Sequence, residues 1–161
     1  MTIEKMRQLK ALLLQHCFDY VEDLLDRAEK GIVEARTDAQ QEQKSSAGDK
    51  FETHRAMMHL QMETFIKRKE VAEDLYSTLQ RIALEKVIDQ QIGLGSLIEL
   101  ERGWYYISIS APKFIHHNLQ YTIISQEAPF YKQLQGKEVG DFIEWHNVNG
   151  EEDWIEILSV Y

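Results

Sequence analysis

The feature that most limits what this chain can fold into is a pair of long heptad-like segments split by one short break, SSAGDKFETHRAMM at residues 45–58. In the first segment Ile3, Met6, Leu13, Cys17, Tyr20 and Leu24 follow alternating steps of three and four, with Lys10 in the one skipped seat. That spacing is the a/d seam of a helix lying along another helix. In the second segment Phe51, Met58, Met62, Phe65, Ala72, Tyr76, Leu79 and Ala83 resume it. No proline occurs before Pro112, and Gln, Glu, Lys, Ala and Leu dominate, so little stops either helix; Gly31 is the one weak point before the break.

The seam fades through Thr37 to Gln43, a Gln-rich polar stretch that can stay helical while burying little. Ser45-Ser46-Ala47-Gly48 then supplies a turn, with Gly48 suited to the left-handed conformation that ends a helix. Residues 3–43 and 52–88 are similar in length, so each arm would reach about 55–60 Å at 1.5 Å per residue. A short connection forces them antiparallel. The expectation is a two-helix coiled-coil hairpin over residues 1–90 with an acidic tip at 45–53.

After Val87 the texture changes. Gly93-Leu94-Gly95 breaks the helix, and residues 96–100, 104–109, 121–124, 141–145 and 154–160 read as strands rich in β-branched and aromatic residues. Arg102-Gly103 and Asn149-Gly150 are hairpin turns, and Pro129 to Gln135 fits one short helix opened by proline and closed by Gly136. The fold class is therefore α+β, with the hairpin followed over 91–161 by a small antiparallel sheet and one helix.

Composition narrows the function. The 161 residues are 43% hydrophobic, enough to fold without staples. A formal charge of −9 argues against a broad nucleic-acid surface, which needs a Lys/Arg footprint to displace counterions. The lone Cys17 excludes an internal disulfide framework and a cysteine-rich zinc site, which fits a reducing cytosol. Ala11-Leu12-Leu13-Leu14 is far shorter than a membrane span, and no signal sequence opens the chain, so a cytoplasmic protein with no membrane contact is expected.

Asp49 and Glu52 stand three apart at the start of the second arm, hence on one helical face. One use of such a pair is to hold a divalent ion, because Mg²⁺ takes one or two protein carboxylates while substrate phosphates complete its shell. A tip of this kind would complete a phosphoryl-transfer site whose other ligands belong to a partner. The other use is a capping box, in which Asp49 caps the arm and Glu52 reaches back to a free backbone donor. Spacing alone leaves both open. His54 and His59, five apart, do not share a face, and His16, His116 and His117 lack a second ligand pattern or a nucleophile. No phosphate-binding glycine loop or serine nucleophile motif is present.

Gly48-Asp49-Lys50-Phe51-Glu52 matches a Gly-Asp-x-x-Glu tip, and Ile124-Ser125-Gln126-Glu127-Ala128-Pro129-Phe130 with Gly136-Lys137-Glu138-Val139-Gly140-Asp141 matches a strand, Ser-Pro, helix and Gly-Lys-x-x-Gly-Asp element. On these motifs, in this order, the chain resembles the GreA/GreB transcript elongation factors of bacterial RNA polymerase over nearly its whole length. The resemblance implies a coiled coil that enters the polymerase secondary channel and an FKBP-like domain that docks at the rim through the surface around Ser125, Pro129 and Lys132. It implies that Asp49 and Glu52 bind catalytic Mg²⁺ shared with the polymerase active site. The chain would then activate the polymerase's own cleavage of backtracked RNA, touching the nascent 3′ end indirectly, rather than act as a stand-alone enzyme. After Glu52 the family usually carries Asn, then an acid and Tyr, where this chain has Thr53, then Arg55 and Ala56. Two other readings follow: a channel-binding regulator without cleavage, and a coiled-coil interaction protein unrelated to polymerase. Peptidyl-prolyl isomerisation rests on fold analogy alone.

Overall fold

A computed structural model of the chain describes residues 3–42, 49–84, 91–146 and 152–161. The tip turn expected at 45–48 and the Asn149-Gly150 turn lie outside the described residues. Two long helices, α1 (Ile3–Glu42) and α2 (Asp49–Leu84), precede strands β1 (Leu97–Leu100), β2 (Gly103–Ser108), β3 (Phe114–His116) and β4 (Leu119–Ser125). Helix α3 (Pro129–Leu134) and strands β5 (Phe142–His146) and β6 (Glu152–Val160) follow. The chain divides into two compact units, one formed by Met1–Phe18 with Thr78–Tyr161 and the other by Asp19–Ser77. The division cuts through both helices, so their basal turns belong with the sheet.

The buried stripe of α1 departs from the predicted seam. Leu9, Leu13, Cys17 and Val21 are buried in steps of four, followed by Ala28 and Ala35, while Ile3 is 73% exposed and Tyr20 only half-buried. A helix turns once in 3.6 residues, so consecutive steps of four rotate the stripe away from a strict seven-residue seam, and Val21 replaces Tyr20. In α2 a step of three from Leu79, in place of the predicted four, buries Ile82 and leaves Ala83 exposed.

Within Asp19–Ser77 the contacts fix the helix pairing. Phe65 lies against Gly31, where an added Cβ would sit 2.4 Å from the ring. Lys69 reaches Glu29 at 2.9 Å. As the partner on α1 moves back, the partner on α2 moves forward, which is antiparallel packing. Gly31 is thus the hole that accepts an aromatic ring. Lys69, an odd seam residue by sequence, is half-buried with its charge on Glu29, and that carboxylate holds its pKa above the usual lysine value.

In the other unit the strands form one six-stranded sheet in the order β3-β4-β2-β1-β6-β5. All neighbours are antiparallel except β2 and β4, which run parallel from Trp104↔Tyr121 to Ser108↔Ser125. The exception comes from β3, which the sequence reading missed. The chain leaves β2, builds β3 beyond the place of β4 and returns through His117-Asn118, both at positive φ (47° and 62°). A two-residue turn with both centres left-handed is the hairpin type that matches strand twist. Three residues are too short a run for alternation to reveal, and a histidine at positive φ is not a turn signal.

Side chains alternate across the sheet. Ile98, Leu100, Tyr105, Ile107, Ile143, Ile155 and Ile157 form one core with Tyr131 and Leu134 of α3. On the opposite face Tyr106, Tyr121, Ile123 and Leu97 are buried, and the base of α1 lies here, with the Cys17 thiol beside Ser108 and Tyr106. Burial pushes the thiol up to about 11. Ser108 acts weakly against that rise; its buried hydroxyl has no partner at hydrogen-bonding geometry, so desolvation dominates. Lys10 donates to the Tyr161 main-chain oxygen at 2.9 Å, and the His16 Nε2–H donates to the Pro112 carbonyl at 3.1 Å while its ring lies 5.1 Å from that of Phe114. Lys10, skipped in the predicted seam, therefore serves the helix–sheet junction.

Candidate functional site

The two tip acids fall in the first turn of α2. Asp49 opens the helix and Glu52 follows one turn on, exposed. Residues three apart share a helical face. At a helix N-terminus the free N–H groups and the macrodipole favour negative charge, so this position suits carboxylates without any ligand. Arg55, three residues beyond Glu52 and exposed, lies on the same face, while Thr53 and Ala56 are exposed beside it. Among the described residues no cluster of three or more His, Cys, Asp or Glu side chains is arranged to hold a metal. By sequence the first turn of α2 offers two carboxylates, Asp49 and Glu52. A pair fits Mg²⁺ whose remaining ligands come from phosphates, water or a partner.

The structure gathers Ser125, Pro129 and Lys132 at the corner where β4 enters α3. Ser125 ends β4 and its carbonyl accepts from the Ala128 N–H at 3.2 Å, forming the turn. Pro129 then starts α3, where its fixed φ suits the helix and its missing N–H leaves no donor unpaired. Pro129 and Lys132 are exposed, while Tyr131 and Leu134 on the other side of the helix are buried. Glu127 is held below the usual carboxylate range, chiefly by the nearby Ser125 hydroxyl and then by its own backbone N–H. Gln126 Nε2 donates to the Tyr131 hydroxyl at 3.1 Å. Glu127 is the corner residue to which the sequence reading gave no role of its own.

The second motif has a conformational basis. Gly136 and Gly140 have φ of 77° and 90°, and the Asp141 carboxylate accepts from the Glu138 N–H at 2.8 Å. Only glycine enters that region without strain, and a short acid closes the turn through its own side chain. The Gly-Lys-x-x-Gly-Asp pattern therefore builds the passage from α3 into β5. The tip acids and the β4–α3 corner lie in different units, Asp19–Ser77 and Met1–Phe18 with Thr78–Tyr161.

No family model matches the chain, and no curated protein matches it. Among solved structures it is similar to GreA factor homolog 1 (Gfh1) of Thermus thermophilus, with 21% identity, 89% of this chain and 94% of that chain covered, and a TM-score of 0.34. A second structure of the transcription factor Gfh1 is 22% identical over 91% of this chain and 94% of the other, with a TM-score of 0.36. The prokaryotic transcription elongation factor GreA/GreB from Nitrosomonas europaea is 21% identical over 55% of this chain and 78% of the other, with a TM-score of 0.35.

Proposed function

We propose that this chain is a Gre-like transcription elongation factor that binds bacterial RNA polymerase, delivers the start of α2 to the polymerase active site and stimulates cleavage of backtracked RNA. One observation carries the reading: an antiparallel pair of helices of 40 and 36 residues returns at Asp49, with Glu52 exposed in the same first turn. Apart from capping, a carboxylate pair so placed has little use for the fold. It suits a site that another molecule completes.

In this reading Asp49 and Glu52 hold Mg²⁺ jointly with the polymerase. The ion, when bound, lowers the pKa of a coordinated water and neutralises charge on the phosphate under attack. The chain's own contribution is to place two carboxylates, fix their separation through a helical turn and exclude bulk water with the helix end. Ser125, Pro129 and Lys132 form the docking corner; the Ser125 carbonyl, accepting from the Ala128 N–H, closes the turn that leads to the exposed Pro129 and Lys132.

A second reading has its own observation. Arg55 shares the face of Glu52 and brings a positive charge near the ion site, which favours a channel-binding regulator that occupies the polymerase without cleavage. The test is a stalled, backtracked elongation complex with Mg²⁺, treated with the chain and with its Asp49→Ala/Glu52→Ala variant. The proposal expects short 3′ fragments with the unaltered chain, at a rate reduced at least about a hundredfold in the variant, the loss common when transition-state charge stabilisation is removed. Intact RNA with both, and polymerase still bound, favours the regulator.

A further inference from the structure

The unit Asp19–Ser77 contains an open groove of about 570 Å³ between its helices. Leu24 and Ala28 of α1 with Phe65 and Ala72 of α2 line its apolar interior, and Val71 stands at its edge. It exists because the seam is narrow here: Ala28 and Ala72 are buried but small, and the Phe65 ring is drawn onto Gly31. Val71 remains 59% exposed at the edge, apolar surface that the fold does not use.

The lip of this groove is cationic. Among the described residues Arg27, Lys67 and Arg68 line it and no carboxylate does, in a chain whose formal charge is −9. Arg27 pairs with Asp23 along its own helix, and Arg68 lies 5.4 Å from the centre of the Phe65 ring. Lys67 makes no ion pair among the described residues. An apolar floor under a cationic lip is complementary to an apolar side chain carried between acids. The groove is open along one side and its floor holds no buried polar group to orient a small molecule, as ligand pockets do. A single-stranded nucleic acid would need a row of stacking rings, and Phe65 is the one ring among the described residues lining the groove.

We propose that this groove seats an acidic segment of a partner protein, one leucine- or phenylalanine-like side chain entering between Leu24, Ala28, Phe65 and Val71 while flanking carboxylates meet Arg27, Lys67 and Arg68. The inference is independent of the tip acids. The probe is a dye-labelled helical peptide with Leu and Phe four apart on one face and Asp and Glu around them, titrated with the full chain to about 1 mM, the weak limit of specific recognition. The proposal expects saturable binding, amide NMR shifts in the chain confined to the neighbourhood of Ala28, Phe65 and Val71, and no binding of the same peptide with Ser for Leu and Phe. Lys67→Glu/Arg68→Glu and, separately, Val71→Asp should each weaken binding at least about tenfold with an unchanged melting temperature, as loss of charge or of anchor burial requires. The Asp49→Ala/Glu52→Ala variant should bind the peptide unchanged, so failure here is distinct from failure of the cleavage reading. Absence of binding, equal binding of the serine peptide, shifts elsewhere on the chain, or displacement of the peptide by an RNA oligomer would each overturn the proposal.

Discussion

The sheet unit and the hairpin unit hold themselves together by different means. In the sheet unit Leu97, Ile98, Ile107, Leu134, Ile155 and Ile157 are fully or almost fully buried, packed on both sides of the strands. Among the described residues between Asp19 and Ser77 the buried hydrophobic ones are Val21, Ala28, Ala35 and Ala72, three of them alanines, while Met58, Met62 and Phe65 are only half-covered. Burial stabilises in proportion to the apolar area removed from water, so the sheet unit has far more to draw on per residue. The comparison teaches a division of labour: a well-packed body that fixes the β4–α3 corner, and a thin pair of helices whose side chains are largely exposed.

That contrast can be broken most sharply in the sheet core. Ile107→Ala should cost roughly 2–5 kcal/mol, the range for truncating a large buried side chain. Chemical denaturation should show the loss in the main unfolding transition. A loss below 1 kcal/mol would mean that the sheet is no better packed than the hairpin.

A somewhat smaller effect sits where α1 meets the sheet. Cys17 has its pKa raised from 9.0 to about 11, first by burial. A group whose folded pKa is raised contributes stability that is complete below the unfolded pKa and is lost as pH rises through the folded value. Stability should therefore fall between pH 9 and 11, by about 2–3 kcal/mol at 1.36 kcal/mol per unit. Tyr106, raised by its own burial and by Cys17, adds to the loss at higher pH. Denaturant melts across this range should show the slope, and Cys17→Ala should flatten it. A thiol-specific reagent at neutral pH should leave the folded chain unmodified.

The smallest effect sharpens the hairpin side. Gly31→Ala places a methyl 2.4 Å from the Phe65 ring, and crowding of that kind costs about 1–3 kcal/mol. Replacing a mid-helix glycine returns about 1 kcal/mol. The net loss should be about 1 kcal/mol, and in a Phe65→Ala background the sign should reverse to a gain of similar size. Thermal melts of the four chains close the cycle, and a gain in both backgrounds would show that the ring is free to leave.

Much of this architecture is legible in the residues, for reasons that differ by region. The two helices announce themselves because apolar spacing repeated over many turns survives local error, and α3 because Pro129 and Gly136 punctuate it. The seam itself shifted, Val21 for Tyr20 and Ile82 for Ala83, because several residues within one turn are apolar and only packing decides which of them is buried. Strand β3 and the parallel β2–β4 pairing were hidden, since a three-residue strand has no period and pairing partners are not written locally. Of the candidate site, the β4–α3 corner is legible as Ser-x-x-x-Pro at a strand end, whereas the nearness of Ser125 to Glu127 needed the turn geometry. The cationic groove was invisible, because it needs the register that sets Gly31 against Phe65. Asp49 and Glu52 were found by position, and the same spacing serves a cap, so chemistry must decide between them.

The measurement that bears most directly on the central claim is competition on one backtracked elongation complex: cleavage by the unaltered chain, with Asp49→Ala/Glu52→Ala added in increasing excess. The account predicts that the variant docks through its intact sheet unit and suppresses cleavage in step with its share of the complexes. Cleavage that persists at full excess, or that the variant supports by itself, would contradict it.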